Sequence, residues 1–206
     1  MTAYLNPSSG KTLQKEYYVT IDSVDRDRTA WPKSSRFEVK FGAVSSSTTI
    51  TVANAEGVPP TTLTAPGYAG ANVPRSFKNV SSIELIGCSF PNTANVLNEP
   101  CLYLSFDELK GNYDGTNPTS ASAFAKLVPS GVFGGFVQSY GDAGSAGTPQ
   151  RKISYAPGMR IDKLTPSLKT TQGTVFNFGS DAGESANAAV QTSFTLRIVV
   201  NEPYVH

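Results

Sequence analysis

Residues 192–203 read TSFTLRIVVNEP and carry the clearest fold signal in the chain. The apolar side chains of this stretch fall on alternate positions, at Phe194, Leu196, Ile198 and Val200. A period of two is typical of a β-strand that buries one face and leaves the other in contact with water. The stretch therefore predicts a strand on the wall of a hydrophobic core.

Similar patterns recur along the chain, with turn residues between them. In RFEVKFG, residues 36–42, three apolar residues alternate with charged ones. Further strand candidates are 16–22, 47–54, 78–91, 101–109, 130–140, 151–157, 160–170 and 174–179. Only TSASAFAKL, residues 119–127, suggests a helix, with Thr119 or Ser120 as its N-cap. Many strands and almost no helix predict an all-β antiparallel sandwich or barrel with long loops.

The domain organisation follows from length and composition. A chain of 206 residues suits one β-sandwich domain, which we place at 16–206. Residues 1–15 are polar and aperiodic, and we predict an extended N-terminal arm there. Residues 54–77 are rich in Pro, Gly and Thr, and they predict one long loop of the functional or flexible kind.

Charge and cysteine content exclude several classes of protein. Lys and Arg total 17 against 16 for Asp and Glu, which argues against a dedicated nucleic-acid binder. Cys88 and Cys101 both lie in hydrophobic runs, so we expect buried free thiols rather than a disulfide framework. The start lacks a signal-peptide core, and no apolar run approaches the ~18 residues of a membrane span. We therefore expect synthesis and assembly in a reducing cytosol or a compartment continuous with it.

The sequence offers little for catalysis. The one histidine, His206, is the last residue, so neither a histidine-based triad nor a histidine-containing zinc site is expected. Asp107 and Glu108 are adjacent at the end of a predicted strand and would point to opposite faces. We predict a protein that is not an enzyme, with no catalytic residue, no metal and no cofactor.

One charged segment needs an explanation of its own. YYVTIDSVDRDRTAWP, residues 17–32, passes from a strand into Asp25, Arg26 and Asp27 and closes with Trp31 and Pro32. The acids lack the spacing of a calcium loop, and the arginines among them would repel a cation. Two interpretations stay open, a solvated charged loop and a structural corner. In the corner, Arg26 would bind a carboxylate or open carbonyls, under an apolar lid from Trp31.

These residues also carry a resemblance. The segment resembles the opening of minor capsid proteins from large icosahedral double-stranded DNA viruses of the chlorovirus and mimivirus kind. Its matching elements are Ser23, Asp25, Arg26, Asp27, Pro32, Phe37, Val39 and Phe41. A second block, VSSIELIGCSFPNTANVLNE at 80–99, and the closing TSFTLRIVV are similar to the same family. Between these blocks the resemblance is one of strand pattern only.

The resemblance implies a jelly-roll-like β-sandwich in the virion shell, assembled in the host cytoplasm. Such a protein links or cements major capsid capsomers, at the inner face or at a vertex. Its implied partners are the major capsid protein, other minor capsid proteins and further copies of itself. Direct nucleic-acid contact is not expected, and membrane contact is expected only through an underlying viral membrane.

Candidate interface residues lie in the segments outside the predicted core. They are Tyr4 and Leu5 in the arm, Tyr68 in the long loop and Tyr204 in the tail. Tyrosine is enriched at protein interfaces, although exposed tyrosines without a partner are also common. A second function of a different class stays open, a carbohydrate-binding β-sandwich with exposed aromatic rings.

Overall fold

The computed structural model describes most of the chain. The described residues are 12–42, 47–52, 61–66, 70–93, 96, 98–109, 115–129, 136–140, 152–181 and 186–203.

Within these residues the secondary structure is dominated by strands. They are β1 (Thr12–Asp22), β2 (Val39–Phe41), β3 (Ser47–Val52), β4 (Thr61–Pro66), β5 (Ala71–Val73), β6 (Phe77–Pro91), β7 (Leu102–Phe106), β8 (Ala125–Leu127), β9 (Phe136–Tyr140), β10 (Lys152–Ile161), β11 (Lys163–Leu164), β12 (Pro166–Lys169) and β13 (Ser193–Pro203). The helical elements are one α-helical turn, α1 (Pro118–Ala121), and 3₁₀ turns at Ser23–Asp25 and Ala188–Val190.

The largest sheet brings the two ends of the described chain together. Its strands follow the order β1-β13-β6-β10, and β9 pairs with β6 as well. Strands β1 and β13 stay in one antiparallel register from Thr12↔Pro203 to Asp22↔Ser193. Because these strands are far apart in sequence, this pairing closes most of the chain into one loop and fixes where β1 ends.

Strand β6 is the centre of this sheet and runs for 15 residues. One edge of β6 pairs with β13, while the other pairs first with β10 and then with β9. The β6–β13 register shifts between Thr195 and Leu196 and again between Val199 and Val200. Such irregularities bend a strand and increase its twist, which lets a long strand curve over a core.

The remaining strands form smaller sheets. Their orders are β11-β2-β5, β12-β7-β8 and β3-β4. A bridge between Arg36 and Ser167 joins the first two of these sheets. Strands β2 and β5 are parallel, and the other strand pairs of the described residues are antiparallel. The predicted all-β class with antiparallel sheets is confirmed.

One hydrophobic cluster receives side chains from the large sheet and from the β2, β7 and β12 strands. The predicted inward row of β13 is buried, since Phe194, Leu196, Ile198 and Val200 are 5% exposed or less. Around β2 the inward residues are Phe37, Val39 and Phe41, all 7% exposed or less. The period-two pattern therefore identified the buried row of β13 and the buried residues around β2 correctly. Cys88 and Cys101 are buried free thiols, as expected, and burial raises the pKa of the Cys88 thiol well above its ordinary value.

The predicted arm and the predicted long loop have different boundaries in the structure. Strand β1 begins at Thr12, so residues 12–15 of the predicted arm belong to the sheet, and residues 1–11 lie outside the described residues. The predicted loop at 54–77 contains β4 and β5 and ends as β6 begins. Neither β4 (TTLTAP) nor β5 (ANV) has a run of alternating apolar residues, so neither gave a periodic signal, although the threonines of β4 are β-branched and favour strands.

The predicted helix is short and capped elsewhere. Helix α1 spans Pro118–Ala121, and its N-cap is Asn117, whose side chain accepts a hydrogen bond from the backbone of Ser120. The rest of the predicted helical segment continues into strand β8, whose Leu127 is buried. Residues 174–179 form no strand, and Val175 makes only an isolated bridge to Lys169.

Candidate functional site

The charged segment after β1 folds into a tight corner. Strand β1 ends at Asp22, and a 3₁₀ turn follows at Ser23–Asp25. The backbone of Ser23 pairs with Thr192 at 2.9 Å, which ties the corner to the residue just before β13. Arg26 comes next and turns its side chain inward, so that the residue is only 3% exposed.

The guanidinium of Arg26 is the centre of the corner. Its five hydrogen bonds reach the carbonyl oxygens of Ser23 (2.7 Å), Trp31 (2.8 Å) and Pro32 (3.3 Å), Oε1 of Gln191 (2.8 Å) and Oδ2 of Asp181 (2.5 Å). An arginine side chain has five N–H donors, so every donor of Arg26 has an acceptor inside the chain. We call this arrangement of Arg26, Asp181 and Gln191 the Arg26 clasp.

Asp181 supplies the charge that balances Arg26. Its side chain is 1% exposed, and that of Arg26 is 0% exposed. The carboxylate also accepts hydrogen bonds from the backbone N–H of Asn187 at 2.5 Å and from Nε2 of Gln191 at 2.9 Å. Burial by itself would raise the pKa of Asp181, but the hydrogen bonds from Asn187, Gln191 and Arg26 outweigh it and hold that pKa below its ordinary value.

Gln191 connects the two halves of the clasp. Its Oε1 accepts hydrogen bonds from Arg26 and from Oγ of Ser23, the latter at 2.7 Å. Its Nε2 donates to Asp181 and, at 2.7 Å, to the carbonyl of Asn187. Oγ of Ser23 in turn accepts the backbone N–H of Thr192 at 2.8 Å. The corner and the approach to β13 therefore share one connected and buried polar network, which favours a single geometry.

The other predicted corner residues have separate roles. Oδ1 of Asp27 accepts the backbone N–H groups of Thr29 (3.0 Å) and Ala30 (3.1 Å), so Asp27 holds the turn that leads to Trp31. Trp31 packs partly buried against the core, as a lid would. Pro32 is exposed and contributes its carbonyl to Arg26. Asp25 is exposed and is not the carboxylate that Arg26 binds.

Sequence reasoning missed two members of the clasp. Asp181 and Gln191 both lie in SDAGESANAAVQ, residues 180–191, a polar segment with no strand pattern that carried no site prediction. Their partner Arg26 is distant in the sequence, so no local spacing could reveal the contact. The available signal was chemical, since a buried arginine needs a carboxylate from somewhere in the chain.

The adjacent carboxylates at the end of β7 are used separately. Asp107 pairs with Arg36 at 2.9 Å, where both side chains are well exposed. Glu108 accepts the backbone N–H of Thr165 at 2.7 Å and its hydroxyl at 2.8 Å. The two residues therefore have different partners, in agreement with their placement on opposite faces.

The predicted interface residues Tyr4, Leu5, Tyr68 and Tyr204 lie outside the described residues. The exposed large hydrophobic residues that the structure describes are Leu13, Tyr18, Val24 and Val128. No group of three or more potential metal ligands of the His, Cys, Asp and Glu types occurs in the described part of the chain. Nor do the described ranges contain a helix of the length and apolar character that would cross a membrane.

Comparison with known proteins returned no family model that matches the chain and no curated protein that matches its sequence.

Proposed function

We propose that the chain is a structural virion protein, a minor capsid component that links or cements major capsid capsomers. Two sequence blocks and the last strand support this proposal through their resemblance to minor capsid proteins of large icosahedral DNA viruses. The proposal includes a jelly-roll-like arrangement of the strands. In its favour, β-sheets share one core and the first and last described strands are neighbours.

The observation that carries the proposal is the use that the chain makes of its most distinctive motif. Arg26 directs all of its donors to acceptors of its own chain, and Asp27 holds the adjacent turn. A charged motif that makes its contacts within its own chain stabilises the shape of the protein. Shape is what a shell component contributes, because it works by fitting against its neighbours.

The other elements of the resemblance also serve the core. Phe37, Val39 and Phe41 of the first block are buried around β2. The second block contributes most of β6, the central strand of the large sheet. The matching residues of both blocks thus contribute to the framework of the core.

The proposed partners are the major capsid protein, other minor capsid proteins and further copies of the chain, in the shell of a virion assembled in the host cytoplasm. A specific contact of ordinary size buries about 1,600 Å² in total, which many side chains must share. Tyr4, Leu5, Tyr68 and Tyr204 are the proposed anchors. A net charge of +1 gives no reason to add nucleic acid to these partners, and any membrane contact would be with an underlying viral membrane.

The test is to find the protein in particles. Purified virions are analysed by mass spectrometry, and a density map of the shell is searched for this fold. We expect the chain in intact particles at a fixed ratio to the major capsid protein, with density between or beneath capsomers. Its absence from purified particles would reject the proposal.

A carbohydrate-binding function is the alternative, and one observation favours it. The ring of Tyr18 is 63% exposed at the surface of β1, where it could stack on a sugar. A glycan array separates the two functions. A sugar-binding protein would bind a defined glycan and lose that binding in a Tyr18→Ala variant, whereas the capsid component would bind none.

A further inference from the structure

Strand β1 is an unusual edge. It has 11 residues, about twice the length of a typical strand, and among the described residues it pairs with β13 alone. Proteins usually blunt such edges with proline, bulges or several charges, because open backbone groups invite another strand. The register of β1 with β13 has no irregularity and the strand contains no proline, so its protection rests on three charged residues, Lys15, Glu16 and Asp22. Tyr18 and Leu13 are 63% and 47% exposed on it.

A groove runs beside this edge. Strand β1 is the last strand of the large sheet, and β5 is the last strand of its own sheet. Between them lies a depression of about 330 Å³, lined by residues that include Tyr17, Tyr18, Asn72, Val73, Arg75 and Phe77. We call it the β1–β5 groove. Its apolar lining, and the edge of β1 that no described strand pairs with, are what a peptide needs in order to add to a sheet, since main-chain bonds give affinity and side-chain pockets give specificity.

Positive charge gathers at one end of the groove. The guanidinium of Arg75 lies 4.7 Å from the centre of the Tyr17 ring, and Lys78 lines an adjoining hollow with Arg75 and Glu202. Glu202 already has an ion pair with Lys15. The hydrogen bond from Lys15 and, less strongly, the charge of Arg75 hold the pKa of Glu202 below its ordinary value. Lys15 and Arg75 therefore both act on Glu202, and Lys78 lies in the same hollow.

From this combination we propose that the β1–β5 groove binds an extended acidic segment of a partner protein, which adds to β1 as a further strand. The carboxylates of that segment would meet Arg75, the charged residue that lines the groove. The inference deepens the proposed function and rests on it, because it names the surface and the kind of partner through which a shell component would hold its neighbour.

Charge favours an acidic partner over a second copy of the chain. A twofold contact places the same patch of both copies face to face. Pairing two β1 strands near Tyr17 and Tyr18 would bring two copies of Arg75, the charged residue that lines the groove, to the same interface. Like charges across an interface cost affinity and suppress that association.

The experiment uses the full chain and a fluorescent peptide of about ten residues, a common strand length. The peptide alternates valine and threonine on one face with aspartate on the other, and its matched partner carries lysine in place of aspartate. A third peptide keeps the aspartates but is N-methylated on alternate backbone nitrogens. Fluorescence anisotropy gives each affinity, and size-exclusion chromatography with light scattering gives the oligomeric state.

We expect the aspartate peptide to bind, and the lysine and N-methylated peptides to bind about tenfold more weakly or not at all. Arg75→Glu should lower the affinity for the aspartate peptide by about tenfold. Lys126→Glu makes the same charge change at an exposed position on β8 and should leave that affinity unchanged. Both substitutions are at exposed positions, and unchanged thermal unfolding checks that each variant is folded.

The inference would be overturned if all three peptides bound with equal affinity, or if none of them bound. It would also be overturned if the chain formed a stable dimer that Arg75→Glu strengthens. The proposed function fails by a different measurement. If the chain binds the peptide but is absent from virions, the capsid role is rejected and the inference about the groove is retained. If the chain is present in virions but binds no peptide, the inference about the groove is rejected and the capsid role is retained.

Discussion

Nη2 of Arg26 lies 2.5 Å from Oδ2 of Asp181, although 155 residues separate the two in sequence. This contact joins the corner after the first described strand to the segment that leads into the last. Because both strands are neighbours in the large sheet, the contact closes the same long loop that the sheet closes. The corner therefore has a fixed position relative to the core.

The pH dependence of stability should reveal the contribution of the Asp181 carboxylate. Its pKa is lowered in the folded state, so its contribution is fully present above the ordinary carboxyl pKa and is lost as pH falls through the folded pKa. We expect the free energy of unfolding to differ between wild type and Asp181→Asn at neutral pH, and the difference to shrink in acid. Urea titrations over a range of pH measure it. The exposed control Asp162→Asn should differ little from wild type throughout, and a pH-independent gap for Asp181→Asn would contradict the role of the carboxylate.

Gln191 should contribute to the stability of the fold although it carries no charge. In Gln191→Leu, Arg26, Asp181 and Ser23 each lose a hydrogen-bond partner in a buried place. We expect a loss of about 1–3 kcal/mol in the free energy of unfolding, measured by chemical denaturation. Gln172→Leu, at an exposed glutamine, is the control and should change stability by less than about 0.5 kcal/mol. Equal effects of the two variants would show that the network adds nothing.

The two faces of β13 should differ in their tolerance of truncation. Phe194 is 1% exposed, whereas its neighbour Thr195 lies on the other face and is partly exposed. Phe194→Ala should cost about 3–5 kcal/mol because it leaves a cavity in the core. Thr195→Ala should cost less than about 1 kcal/mol. Thermal and chemical unfolding measure both, and similar costs would mean that β13 does not line the core.

Gly179 should resist substitution more strongly than Gly158. Both have positive φ angles, +133° and +98°, so alanine strains the backbone at either position. At Gly179 a Cβ would also lie 3.2 Å from Cγ1 of Val190, while at Gly158 nothing lies within 4 Å. We expect Gly179→Ala to lower the melting temperature more than Gly158→Ala. The reverse order would show that the approach of Val190 is not a constraint.

The sequence predicted the parts of the fold whose signal is local. Alternation located β13 and the buried residues around β2, and β6 ended at Pro91 as expected. Strands β4 and β5 escaped because the segment from 54 to 77 mixes Thr with Pro and Gly and has no apolar period. The order of the strands could not be predicted either, because the pairing of β1 with β13 depends on residues far apart in the chain.

The candidate site was predictable only in part. The sequence left two interpretations open for this segment, and in one of them Arg26 binds a carboxylate or open carbonyls. In the structure Arg26 has both kinds of acceptor. The identity of the carboxylate was out of reach. Asp25 and Asp27 are nearer in sequence, but Asp25 is exposed and Asp27 accepts the backbone N–H groups of its own turn. Asp181 is the buried carboxylate that Arg26 meets, and its position depends on the tertiary fold.

A double-mutant cycle between Arg26 and Asp181 tests the clasp most directly. Free energies of unfolding are measured for wild type, Arg26→Met, Asp181→Asn and the double variant, with Arg160→Gln at an exposed ion pair as control. Each single change should cost about 3–5 kcal/mol, because it leaves a buried group without its partner. The double variant should cost clearly less than the sum, with a coupling energy of about 1–3 kcal/mol. Additive single effects of less than about 0.5 kcal/mol, no larger than that of Arg160→Gln, would contradict a clasp that holds the corner.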